Sequence, residues 1–129
     1  MQNEITKSGK LLKANGTLEQ IGWARTQNLD CNLENARFYA IKGLQKFRIK
    51  RWDYYAVFTP QRFFSATVAD LGYAGNVFVY HMDFVTRELH EEGLVIPFGK
   101  GVQLPRNSME GDTCFQNEKA SMKFSLKDK

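Results

Sequence analysis

The stretch RIKRWDYYAVFTPQRFFSATVADL, residues 48–71, decides the fold. Two runs of aromatic and β-branched residues flank Thr59-Pro60-Gln61-Arg62, the composition of two strands around a turn. Pro60 carries a φ already set for the second position of such a turn. If the loop closes symmetrically, Phe58 faces Phe63, Ala56 faces Ser65, Tyr54 faces Thr67 and Trp52 faces Ala69. On the other side Val57 meets Phe64, Tyr55 meets Ala66, Asp53 meets Val68 and Arg51 meets Asp70. A slip of one residue would exchange the two faces, so the register is also a statement about which side chains share a surface.

Working outward, Gly72-Tyr73-Ala74-Gly75 reads as the next turn and NVFVYHMDF, residues 76–84, as the next strand. Continuing the register places Val77 by Asp70, Val79 by Val68, His81 by Ala66 and Asp83 by Phe64. A further strand is expected within RELHEEGLVI, residues 87–96, followed by a loop, GKGVQLPRNSMEGD, at 99–112. TCFQ (113–116) and ASMKFSLK (120–127) complete the pattern around the turn Asn117-Glu118-Lys119. In the last segment Ala120, Met122, Phe124 and Leu126 alternate with Ser121, Lys123, Ser125 and Lys127. Residues 48–129 therefore read as an all-β antiparallel meander of about six strands.

Residues 1–47 are different: polar, punctuated by glycine, and best read as an irregular arm that packs against or caps the sheet. Asn15-Gly16 marks a tight turn. Asn32 is placed to cap a short helix through LENARFYAI, residues 33–41, with Glu34 favourable to its positive end. The chain of 129 residues is expected to be a single domain, arm plus sheet.

Composition narrows the function classes. Hydrophobic residues at 43% and charged residues at 25% are ordinary for a soluble globular protein. The net charge of +4 lies largely in terminal lysines and in KFRIKR, residues 46–51, without a nucleic-acid-binding module, so no nucleic-acid partner is expected. No window reaches the roughly 18 apolar residues of a membrane helix. The polar start MQNEITKSGK does not resemble a signal peptide, which makes the cytoplasm the default compartment. Cys31 and Cys114 fit free thiols in a reducing compartment and match no metal or redox spacing.

On the deduced register one face carries Trp52, Tyr54, Phe58, Phe63, Phe78, Tyr80, Met82 and Phe84, interrupted by Ser65 and Thr67. An aromatic face with a few polar groups suits an apolar pocket, with Trp52, Tyr54, Ser65, Thr67 and Tyr80 as the ligand-binding candidates. An ordinary packed core has equal claim on that pattern. The opposite face carries Arg51, Asp53, Tyr55, Asp70, His81 and Asp83 among valines. Asp70 has a cross-strand partner in Arg51. Asp53 has none in the register, so it is the first catalytic candidate and His81 the second. The two lie two strands apart, too far for a hydrogen-bonded dyad. His81-x-Asp83 and His90-x-Glu92 are isolated pairs, short of the three or four ligands zinc wants, so no metal and no cofactor is expected.

NEITKSGKLLKANGTLEQIGWAR, then FRIKRWDYYAVFTPQRFFSATVADLGYAG, then LPRNSMEGD resemble, in order, the family called domain of unknown function 2804, from about Asn3 to Phe124. The family's marked positions fall here on Gly22, Trp23, Ala24 and Arg25; on Trp52, Asp53 and Tyr54; on Ala69, Asp70, Gly72 and Tyr73; and on Gly111 and Asp112. Its members are longer, which implies that these residues correspond to their N-terminal part. The family is distantly similar to lipocalin-like, or calycin-type, proteins, a group that includes carotenoid hydratases. The resemblance implies part of a lipocalin-like barrel or an open curved sheet. A closed barrel typically needs about eight strands. An open sheet exposes its edges, so a second copy of the chain or a C-terminal region is expected to cover them.

Three readings follow. The first is a β-sheet domain forming one wall of a site for a small apolar or lipid-like ligand. The second is an enzyme of hydratase, isomerase or cyclase type on such a substrate, and the third a structural or interaction module.

Overall fold

The computed structural model describes residues 3–107 and 109–125. It is built of antiparallel sheets that remain open, so of the two expected architectures the open sheet is the one seen. The centre is a four-stranded antiparallel sheet of β3 (Arg51–Phe58), β4 (Arg62–Asp70), β5 (Ala74–Asp83) and β6 (Leu89–Pro97), in sequence order. A second, three-stranded sheet contains β7 (Val102–Gln103), β8 (Asp112–Gln116) and β9 (Ser121–Ser125). A short parallel pair, β1 (Gly9–Lys10) with β2 (Leu29–Asp30), organises the N-terminal arm.

The β3–β4 hairpin pairs as the sequence implies, from Phe58 opposite Phe63 to Arg51 opposite Asp70. The β4–β5 hairpin departs by two residues. Val68 faces Val77, Phe64 faces His81 and Arg62 faces Asp83, because the chain turns over Gly72 and Tyr73, closed by Leu71 N–H to Ala74 O at 2.8 Å. Gly72 adopts φ +81° there, and a Cβ would stand 1.9 Å from the Lys46 carbonyl oxygen. Gly75 instead belongs to β5, where an added Cβ would approach the Gly99 Cα to 2.9 Å. A shift of two preserves every face while changing every partner.

The expected single meander is divided in two. After β6 the chain runs through Phe98, Gly99 and Gly101, all at positive φ, which breaks the ladder and redirects the chain into the second sheet. Val102–Gln103, expected as loop, forms the edge strand of that sheet. The alternation deduced for residues 120–127 covers β9; its last members, Leu126 and Lys127, lie outside the described residues.

The second sheet packs on the valine-bearing face of the first. Val68, Val77, Ile96 and Phe115 form the buried core, with Leu94, Val102, Leu104, Met122 and Phe124 packed around it. Tyr55 meets Phe124 ring to ring at 4.7 Å. Apolar contact of this kind is the main stabilising term for such a pair of sheets. The aromatic face is not the packed one: Trp52, Tyr54 and Phe58 stay exposed.

In the arm, the Asn15-Gly16 turn is present, closed by Lys13 N–H to Thr17 O, with Gly16 at φ +85°. The short helix expected after Asn32 is a single 3-10 turn, Leu33–Asn35, and a second 3-10 segment spans Lys42–Phe47. Asn32 does not cap with its side chain. It sits in the left-handed region, 2% exposed, and its amide instead bridges the arm: Leu12 N–H donates to Oδ1 and Nδ2 donates to Leu12 O.

Candidate functional site

Strand alternation brings Trp52, Tyr54, Ser65, Thr67 and Tyr80 onto one continuous surface of the four-stranded sheet. Tyr54 is opposite Thr67, and Ser65 is opposite Tyr80. Phe58, Phe63, Tyr80 and Phe78 form a chain of ring contacts with centroids 4.5, 5.4 and 6.2 Å apart in that order. Beneath these rings Ser65 is 0% and Thr67 4% exposed. Ser65 influences the phenols beside it: Ser65 first and Tyr54 second lower the Tyr80 pKa, while Tyr80 raises that of Tyr54. Both phenols lie within hydrogen-bonding reach of the Ser65 hydroxyl. Among the described residues, Thr67 Oγ1 is a buried hydroxyl without a partner, and Ser65 Oγ is buried beside the two phenols. A buried hydroxyl left unpaired costs about 1–3 kcal/mol, so the surface holds unused hydrogen-bonding capacity.

Asp53 and His81 are on the other face and do not share a site. Asp53 is opposite Val68 and Val68 opposite Val77, four residues before His81, which separates the two Cα atoms by roughly 16 Å. Asp53 accepts a hydrogen bond from Thr113 of β8, a residue 1% exposed, and so joins the two sheets. Burial and then the Asp53 charge raise the pKa of the neighbouring Tyr55. His81 stacks on His90 of β6, centroids 5.0 Å apart and rings 12° from parallel. Among the described residues, no three acidic, histidine or cysteine side chains gather as a metal site. Asp83 pairs with Arg62 at 3.3 Å, its pKa lowered by the Thr86 and Val85 backbone N–H groups.

Two adjoining hollows lie between the arm and the sheets. One, about 660 Å³, is bordered by residues including Lys42, Lys46, Ile49, Asp70 and Gly72. The other, about 680 Å³, reaches Gly22, Ala24, Trp52 and Asp53. Cys31, Leu33, Arg51, Leu104 and Arg106 border both. Arg106 grips Asp30 with two hydrogen bonds, 2.9 and 2.8 Å, and Glu34 with a third at 2.9 Å. Those contacts lower the Asp30 and Glu34 pKa values and raise that of Arg106. Arg51 Nη2 stands 3.6 Å from Asp70 Oδ2, and Asp70 Oδ1 accepts the Gly72 N–H. Gln45 ties down the loop before it, accepting from Phe38 and Tyr39 N–H and donating to Tyr39 O.

The residues carried over from the family resemblance are spread over the molecule. Trp23 and Arg25 sit in the arm, where the guanidinium lies 5.0 Å from the Trp23 ring and bonds Glu4 at 2.9 Å. Asp70, Gly72 and Tyr73 form the β4–β5 turn, with Lys50 Nζ 4.1 Å from the Tyr73 ring centroid and bonded to Leu71 O. Asp112 starts β8 and pairs with Lys123 at 2.7 Å, which raises the lysine pKa. Sequence reasoning did not single out Gln45, Arg106 or Thr113, whose partners are 6 to 76 residues away. The one available signal was Arg106 within LPRNSMEGD.

The family model described as a domain of unknown function, DUF2804, matches residues 2–129. No curated protein and no solved structure matches the chain. No helix among the described residues is long and apolar enough to cross a membrane.

Proposed function

Since the chain belongs to the DUF2804 family, whose name carries no activity, we propose from its geometry that it binds a small, largely apolar ligand against the aromatic face of the four-stranded sheet. The observation that carries this reading is the pair of buried hydroxyls, Ser65 and Thr67, the latter without a partner, beneath partly exposed aromatic rings. Rings supply apolar contact, and the hydroxyls supply the few orienting polar groups that such sites use. The ligand is lipid-like, with at least one carbonyl or hydroxyl group aimed at the sheet.

Acid–base chemistry is a separate matter. Asp53 faces the second sheet and His81 the opposite side from the rings, so neither reaches a ligand lying on Tyr54 and Tyr80.

The test is the variant Ser65→Ala with Thr67→Val, assayed for binding of a long-chain ketone and of the matching alkane. Removing both hydroxyls is expected to leave stability nearly unchanged, because losing the unpaired Thr67 group offsets losing the Ser65 contact with the phenols. Ketone affinity falls by about tenfold while alkane affinity holds. Equal loss of both ligands, or no loss of either, defeats the reading. Asp53→Asn is expected to leave ligand retention unchanged; a lost turnover with retained ligand would instead favour an enzyme.

A further inference from the structure

The hollow beside the second 3-10 segment has a composition that the aromatic face lacks. Its border carries four cations, Lys42, Lys46, Arg51 and Arg106, against two anions, Glu34 and Asp70. Both anions are already engaged, Glu34 by Arg106, which also holds Asp30, and Asp70 by Arg51, so the surplus charge rests on the two lysines. Among the described residues, Lys42 and Lys46 have no ion-pair partner; the Lys46 ammonium lies 5.1 Å from the Phe47 ring centroid. Between these charges the hollow offers the apolar side chains of Leu33, Ile49 and Leu104. Its volume, about 660 Å³, is in the range of small-molecule sites.

The walls are also fixed in advance. Gln45 and Asn32, 8% and 2% exposed, spend their amides on backbone groups of the arm and hold the segments bearing Lys42, Lys46 and Leu33. A preformed wall reduces the ordering cost of binding. Surplus positive charge at the edge of an apolar, preformed hollow selects for a molecule with one anionic end.

We propose that this hollow binds an amphipathic anion, an aliphatic chain ending in a carboxylate or phosphate, with the anionic group on Lys42 and Lys46 and the chain against Leu33, Ile49 and Leu104. The site lies on the Arg51–Asp70 side of the sheet and does not depend on a ligand at the aromatic face.

Calorimetric titrations test it, with dodecanoate and dodecyl phosphate below their micelle concentrations, dodecanol below its solubility limit, and inorganic phosphate. Dodecanoate, dodecyl phosphate or both are expected to bind at least about tenfold more tightly than inorganic phosphate. Which of the two binds identifies the head group. Lys42→Ala with Lys46→Ala weakens the anion by about tenfold and leaves dodecanol unchanged, while Lys42→Arg with Lys46→Arg retains binding. Lys119→Ala, on the β8–β9 turn, changes nothing. Dodecanol whose affinity falls together with the anion's in the double alanine variant overturns the proposal, as does an unaltered anion affinity there. Inorganic phosphate matching dodecyl phosphate also overturns it, leaving two solvated surface lysines.

Discussion

The four-stranded sheet and the N-terminal arm are held together by different physics. In the sheet, repeated backbone pairing sets the geometry, and one buried cluster around Val68 and Phe115 joins it to the second sheet. In the arm, the paired strands are two residues long, scattered backbone bonds such as Ile5 N–H to Trp23 O and Glu19 N–H to Leu11 O tie segments together, and single side chains add fastenings: Asn32 to Leu12, Gln45 to Phe38 and Tyr39, Asn28 to Ile5, Arg106 to Asp30 and Glu34. A ladder distributes its stability over many residues, whereas a set of fasteners concentrates it. The two regions should therefore fail differently when perturbed.

The largest effect is expected at the shared core. Phe115→Ala removes a ring that is 1% exposed and leaves a cavity between the sheets. The loss is about 3–5 kcal/mol in chemical denaturation. If arm and sheets unfold as one unit, protease susceptibility of the arm rises in parallel; if they are separate, the arm keeps its wild-type cleavage pattern until the denaturation midpoint.

The same difference explains what could be read in advance. The register of residues 51–70 was legible because a period of two and one proline-containing turn leave little choice. The next turn was misplaced by two residues because glycine serves two ends: Gly72 supplies a positive φ, while Gly75 permits a close approach within a strand. Nothing local separates those uses. The grouping of Trp52, Tyr54, Ser65, Thr67 and Tyr80 followed from alternation alone. The exposure of Trp52 and Tyr54 did not, because packing depends on which face the distant residues Phe115 and Phe124 reach. Asp53 shows the same limit: its partner Thr113 is 60 residues away, in the other sheet. The arm's fasteners were least legible, since each depends on one tertiary contact that leaves no periodic trace.

A middle-sized effect is expected for Gln45→Leu. The substitution keeps the volume but leaves the Phe38 and Tyr39 backbone groups without their amide partner. About 1–3 kcal/mol is at stake for a group left unsatisfied. Hydrogen exchange should show lost protection around residues 38–45 with the β4 and β5 amides unaltered. Uniform loss across both regions would mean that the arm is as cooperative as the sheet.

The smallest effect is expected for Arg106→Gln, and its value lies in its sign with pH. Arg106 lowers the pKa values of Asp30 and Glu34 below their ordinary 3.8 and 4.5. A carboxylate depressed on folding contributes stability above its unfolded pKa and loses it as pH falls through the folded value. Wild type should therefore exceed the variant slightly in thermal midpoint at neutral pH, and the gap should close as pH drops below about 4. Because these side chains are solvated, salt should shrink the gap as well. A gap that persists at low pH would show that Arg106 holds the arm through the packing of its aliphatic stem against the groove, making this fastener a small version of the sheet's own core.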